Sequence, residues 1–142
     1  MTTAGKTFFD TNILVYQFDH TAPTKQKQAQ TLIEQSISKK QAVISSQVVQ
    51  EFMNVGLGKF SSRLSVDELE LVMAQILKPL CQHIPTFDFY ERALTLYKSN
   101  SLSLYDALII QAAIDLGCKT LYSEDLQDGQ QFGTLTITNP FS

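Results

Sequence analysis

The feature that most constrains this fold is an alternation, along the whole chain, of short β-type runs with longer stretches of helical periodicity. Thr7-Phe8-Phe9 reads as a short buried strand, and Ile13 to Phe18 continues as a short helix. Ala29, Leu32, Ile33 and Ile37 recur at helical spacing, which predicts an amphipathic helix over Thr24 to Ser38 with a Gln/Lys outer face. Ala42-Val43-Ile44 is a second strand, and Gln47 to Leu57 a helix with Val48, Val49, Phe52 and Met53 as its apolar stripe. Ser65-Val66-Asp67-Glu68 has the form of a capping box and opens a helix with Leu69, Val72, Met73 and Ile76 inside. Cys81 to Ile84 is a third strand, ended by Pro85. Tyr90, Ala93, Leu94 and Tyr97 mark the next helix, and Tyr105 to Leu116 follows, stopped by Gly117. Lys119 to Tyr122 and Leu135 to Ile137 are the last two strands. Strands and helices in this order favour an α/β fold, a mainly parallel sheet with helices on both faces. At 142 residues, 1–142 is expected to be a single domain.

Several chemistries are excluded early. No apolar run reaches the roughly 18 residues of a membrane span, and no basic-then-apolar leader opens the chain, so a cytoplasmic protein with no membrane partner is expected. Two cysteines, Cys81 and Cys118, with no Cys-x-x-Cys pair, and two distant histidines, His20 and His83, leave little for zinc. Any metal must be oxygen-ligated. The net charge of −3 argues against tight nonspecific duplex binding. With four of the 14 acidic residues assigned to a metal site, ten face the 11 basic ones, and the body of the protein is nearly neutral. The bound cation would then attract phosphate.

The acids fall in a telling pattern. In a parallel sheet, ligands collect beyond the carboxyl ends of the strands. Asp10 directly follows the first strand and Ser123-Glu124-Asp125 the fourth. Glu51 lies in the first turns of the helix after the second strand, and Asp106 in the first turn of the helix that feeds the fourth. Four carboxylates from distant parts of the chain can thus meet at one edge. Clustered carboxylates repel, so a cation is needed to neutralise them, and hard oxygen donors with waters suit Mg²⁺ or Mn²⁺. Phosphodiester hydrolysis is the chemistry such a site would serve.

Each acid also has a plainer use. Asp10 could cap the short helix beginning near Asn12, and Asp106 stands three residues after Ser103, as a capping acid would. Glu51 could be a solvated charge, though a helical wheel sets it beside Val55 on the flank of the apolar stripe. Asp125 and Asp128 belong to a polar turn ending at Gly129, and turns favour Asp. Their convergence on one edge is what favours a site.

These segments resemble the PIN domains, particularly the VapC-type toxins of toxin–antitoxin modules. Phe9-Asp10-Thr11-Asn12-Ile13-Leu14-Val15-Tyr16 looks like the family's opening Asp-x-Asn motif, and Ser45-Ser46-Gln47-Val48-Val49-Gln50-Glu51-Phe52 resembles the segment of its helical Glu. Leu104-Tyr105-Asp106-Ala107-Leu108-Ile109 resembles the third motif, and 121–129, which carries Ser123, Glu124, Asp125 and Asp128, the fourth. The ending Ile137-Thr138-Asn139-Pro140-Phe141 is also typical. The likeness covers essentially the whole chain, in order.

The resemblance implies a three-layer α/β/α fold with a five-stranded mainly parallel sheet of order 3-2-1-4-5. It also implies cleavage within RNA to leave 3′-hydroxyl and 5′-phosphate ends. By the same resemblance, Asp10 and Asp106 would be the principal ligands of Mg²⁺ or Mn²⁺, and Glu51 and Asp125 would hold its waters or a second ion. Asp128 ranks behind Asp125 as the fourth acid. Asn12 and Ser123 would orient the carboxylates. Lys59 and Arg63 are candidates to meet RNA phosphates. A homodimer and a cognate antitoxin, its tail over the acidic groove, are the implied partners, with Val66 to Leu77 and the Gln/Lys-faced helix as candidate contact surfaces. Cys81 and Cys118 would lie on strands too far apart for a disulfide.

Other functions fit less well. A non-toxin RNA-processing nuclease of the same fold shares every feature above. An aspartyl-phosphate phosphatase usually wants a second Asp two residues after the first, where this chain has Asn12. A phospho-receiver domain needs an early acidic pair and a late Lys near the site, neither of which is evident. A non-catalytic scaffold of this fold usually lacks acidic positions, and none is missing.

Overall fold

The first strand, β1 (Lys6–Phe9), buries three of its four residues, because helices cover a parallel sheet on both faces. The computed structural model describes residues 5–59 and 62–142, the Lys59 side chain aside. After β1 come α1 (Thr11–Tyr16), α2 (Pro23–Ser38), β2 (Ala42–Ser45) and α3 (Ser46–Asn54), the last running on into a π-helical turn at Val55–Lys59. Next is α4 (Val66–Val72), continued through a π-helical turn (Met73–Leu77) and α5 (Lys78–Leu80) to β3 (Cys81–His83). The chain closes with α6 (Phe87–Ser99), α7 (Leu104–Asp115), β4 (Cys118–Tyr122), β5 (Gln131–Phe132) and β6 (Leu135–Thr138). Among the described residues no helix is long and apolar enough to cross a membrane.

The sheet has six strands in the order β3-β2-β1-β4-β6-β5. The first five of these run parallel, with Phe8 beside Val43 on one side and Leu121 on the other. The expected order 3-2-1-4-5 is therefore present, its fifth strand being β6. The addition is β5, a two-residue edge strand antiparallel to β6. It had no pattern to be read from, since two residues cannot show a period. Cys81 on β3 and Cys118 on β4 are both free thiols, with β2 and β1 between them. Burial pushes the Cys118 thiol up to about 12, so it stays protonated as a small core residue.

Local signals account for the helix ends. Ser65 and Glu68 form the expected capping box: Ser65 Oγ accepts from the Glu68 N–H at 3.1 Å and Glu68 Oε1 from the Ser65 N–H at 2.9 Å. Gly117 takes φ 72°, a left-handed turn a side chain would resist, and so releases the chain from α7 into β4. Helix α7 is apolar nearly all round, with Ala107, Ile109, Ile110, Ala112 and Ala113 buried, as expected of a helix wedged between α6 and the sheet. On α6 the buried side chains are Phe89 and Ala93, whereas Tyr90, Leu94 and Tyr97 face solvent.

Candidate active site

Asp10, Glu51, Asp106 and Asp125 all line one cleft of about 650 Å³ at the carboxyl edge of the sheet. Asp10 arrives there because β1 ends at Phe9. Its carboxylate caps α1, Oδ1 accepting from the Thr11 N–H at 2.8 Å. The other oxygen, Oδ2, accepts from Ser123 Oγ at 2.8 Å and from Asn12 Nδ2 at 3.5 Å. Capping and a place in the cleft are thus one job for this residue, not rivals. Burial pushes the Asp10 carboxyl up to about 6; the Ser123 and Thr11 hydrogen bonds pull it down, and the charges of Glu51 and Asp125 add to the rise.

Asn12 and Ser123 both hydrogen-bond the Asp10 carboxylate. Asn12 Nδ2 also donates to Asp125 Oδ2 at 3.0 Å, while its Oδ1 accepts from the Glu124 N–H at 3.2 Å. Ser123 is fully buried, and its hydroxyl accepts the N–H groups of Asp125 and Leu126 at 3.1 and 3.3 Å while donating to Asp10. The side chains of these two residues therefore tie one small loop to the start of α1.

The three acids of that loop have separate fates. Asp125 faces the cleft. Glu124 borders it too, but forms an ion pair with Lys25 and accepts from the Tyr16 hydroxyl at 2.6 Å. Burial works against its charge, yet Lys25 and Tyr16 outweigh that and hold the Glu124 carboxyl below its ordinary value. Asp128 is not among the residues lining the cleft; it accepts from the Asn139 N–H at 2.8 Å and anchors its turn to the strand end.

Across the cleft, Glu51 rises from α3. Its Oε1 accepts from Thr11 Oγ1 at 2.7 Å and its Oε2 from Gln47 Nε2 at 3.2 Å. Asp106 stands in the first turn of α7, where Ser103 Oγ accepts its N–H at 3.1 Å. Ser103 does the capping, and among the described residues the Asp106 carboxylate has no hydrogen-bond partner. Arg63 lies away from the cleft, beside a smaller cavity with His20 and Glu68. The Lys59 side chain falls outside the described residues.

Sequence reasoning missed Thr11, Gln47, Tyr105 and Asp19, all of which line the cleft. Gln47 was findable, being four residues before Glu51 on one helix face. Thr11 was not, since its bond to Glu51 spans 40 positions.

A PIN-domain model matches residues 7–127, from β1 through the loop after β4. The chain belongs to the PIN-domain family. PIN domains are nucleases, and three solved structures share this one's PIN fold. A chain of a toxin–antitoxin complex from Klebsiella pneumoniae superposes with a TM-score of 0.67 at 22% identity, over 95% of this chain and 98% of that one. A chain of FitAB bound to an IR36 DNA fragment gives 0.63 at 17% identity, covering 96% of both. A chain of VapBC2 from Rickettsia felis, bound to a DNA fragment from their promoter, gives 0.60 at 19%, over 94% and 97%. No curated protein matches the sequence.

PIN nucleases generally use divalent metal ions, and the donors here suit one in kind: several carboxylates, no thiol, no imidazole. Among the described residues, no three His, Cys, Asp or Glu side chains form a ready-made metal cage.

Proposed function

We propose that this PIN domain is a metal-dependent endoribonuclease, the toxin of a type II toxin–antitoxin module. The observation that carries the nuclease reading is the convergence of four carboxylates from four separated segments on one open cleft at the sheet's carboxyl edge. Of these, Asp10 and Asp106 would hold Mg²⁺ or Mn²⁺, with Glu51 and Asp125 facing the same space. Bound there, the ion would polarise the scissile phosphate, promote ionisation of the attacking water and neutralise charge on the leaving oxygen.

The chain's own residues do the rest. Ser123 and Asn12 hold Asp10 and Asp125 in fixed rotamers, so that little reorganisation is needed when RNA arrives. Glu51, held by Thr11 and Gln47, presents negative charge opposite Asp10. Lys25 cancels Glu124 at the edge of the cleft, which leaves the repulsion centred on the other acids.

The toxin role draws support from the fold's likeness to chains of toxin–antitoxin complexes. A homodimer, an antitoxin and a cytoplasmic location belong to the same reading, and Val66 and Leu71, exposed on α4, offer apolar surface for contact. Incubation of the purified protein with its proper RNA and Mg²⁺ or Mn²⁺ should yield 5′-phosphate ends, and EDTA should stop the reaction. Full cleavage activity in Asp106→Asn would overturn the site. Growth arrest on expression, relieved by a small DNA-binding protein encoded in a neighbouring frame, tests the toxin role. Its absence would leave an RNA-processing nuclease.

A further inference from the structure

Beside the acidic cleft lies a smaller cavity of about 150 Å³, and Gln47 and Tyr105 line both. Its wall includes the ends of two strands, Ser45 of β2 and His83 of β3, which pair in register. Ser45 is 2% exposed, and its Oγ has no hydrogen-bond partner among the described residues. The residue stands at the N-cap of α3, where serine ordinarily turns its hydroxyl onto a free helix N–H, yet it makes no such bond. A buried hydroxyl without a partner is costly, and Ser45 borders the cavity. The remaining wall mixes aromatic rings with Pro85, Leu108 and Ala112 and with the polar Ser46 and Gln50. Tyr90 and Tyr105 are 42% and 65% exposed, and Phe89 sits edge-on to His83 at 4.4 Å.

We propose that this cavity receives one unstacked pyrimidine base of the RNA strand whose backbone crosses the acidic cleft. The proposal rests on the nuclease reading above and adds the position at which sequence is read. Size favours a single ring, since a cavity of about 150 Å³ matches one six-membered aromatic ring. The exposed rings of Tyr90 and Tyr105 favour a base over a sugar or a peptide side chain, because single-stranded RNA is held by stacking on tyrosines. Ser45 Oγ can donate or accept, and so can meet either type of group on a base edge. Gln47 joins the two spaces: its Nε2 donates to Glu51 Oε2 at 3.2 Å and to the Tyr105 carbonyl at 3.3 Å. A base seated here would select which phosphodiester lies between Asp10 and Asp106.

The test uses fluorescence anisotropy of the purified wild-type protein in Ca²⁺ with fluorescein-labelled oligouridylate, oligoadenylate and an abasic oligonucleotide of equal length. Oligouridylate should bind about tenfold more tightly than either of the others. Tyr105→Ala should erase that preference, and Tyr105→Phe, which keeps the ring, should retain it. Ser45→Ala should cut the preference severalfold without lowering the melting temperature. Equal affinity for the three probes, no measurable uridylate binding, or a preference untouched by both Tyr105→Ala and Ser45→Ala overturns the proposal. The parent reading is judged separately by cleavage in Mg²⁺. RNA cut with no pyrimidine preference sinks the pocket alone. A preference that depends on Tyr105, in a protein that cuts no RNA, sinks the nuclease alone.

Discussion

The two walls of the acidic cleft are built on different principles. On one side, α1 and the loop after β4 are cross-linked through Asn12 and Ser123, so that Asp10 and Asp125 have almost no rotational freedom. On the other, Glu51 is held by two neutral donors and the Asp106 carboxylate by none among the described residues. The first wall is prepaid in folding; the second can adjust. A cleft with one fixed and one adaptable wall can take up a hydrated ion and a phosphate without dismantling its hydrogen bonds.

The strongest way to break this comparison is to neutralise one acid on each wall. Asp10→Asn and Asp106→Asn should each lower Mg²⁺-dependent RNA cleavage by about a thousandfold or more, read from initial rates on labelled RNA. Their stabilities should then part. In EDTA at neutral pH, Asp10→Asn should melt higher than wild type, since Asn still caps α1 and the buried charge is gone. Asp106→Asn should melt close to wild type. Equal behaviour of the two would mean that the walls are alike.

Titration sharpens the same point. In the fold Asp10 keeps its proton up to about 6, whereas in the unfolded chain it loses it near the ordinary 3.8. The folded state therefore binds more protons between these values, and stability falls as pH rises through them. The loss is about 3 kcal/mol at most, fully absent below the lower value and complete above the higher. Urea unfolding of the metal-free protein across this range should show the decline, and Asp10→Asn should flatten it. Divalent metal should offset it at neutral pH.

Smaller effects separate the hydrogen bonds. Ser123→Ala removes the donor to Asp10 and leaves the Asp125 and Leu126 N–H groups without their acceptor, which should cost about 2 kcal/mol by denaturant melts. It should also weaken Mn²⁺ binding about tenfold or more. Opposite it, at Glu51, Thr11→Val removes one of the two donors and should cost only about 1 kcal/mol, since Gln47 still holds that carboxylate. The smallest change belongs to Asp128→Ala, outside the cleft, which should cost about 1 kcal/mol through the lost Asn139 bond and leave cleavage unaltered.

Periodicity and chain order were enough to determine the layers of this protein. Alternating strands and helices dictated a parallel sheet, and strand ends followed by Asp10 and by Ser123-Glu124-Asp125 placed acids at one edge. That much is local information, since a side chain's position relative to a strand end is set within a few residues. Short elements escaped it. The edge strand β5 exists only because Gln131 and Phe132 meet Thr136 and Leu135. The sequence put Asp125 ahead of Asp128 but could not settle the order of Glu124, Asp125 and Asp128, three acids of one turn with the same chemistry. Tertiary structure separated them through their partners: Lys25 and Tyr16 for Glu124 and Asn12 for Asp125, all far along the chain, and Asn139, on the next strand end, for Asp128. Which carboxylate remains to face the cleft is decided by what arrives beside each one, and contacts made across a hundred residues leave no local mark.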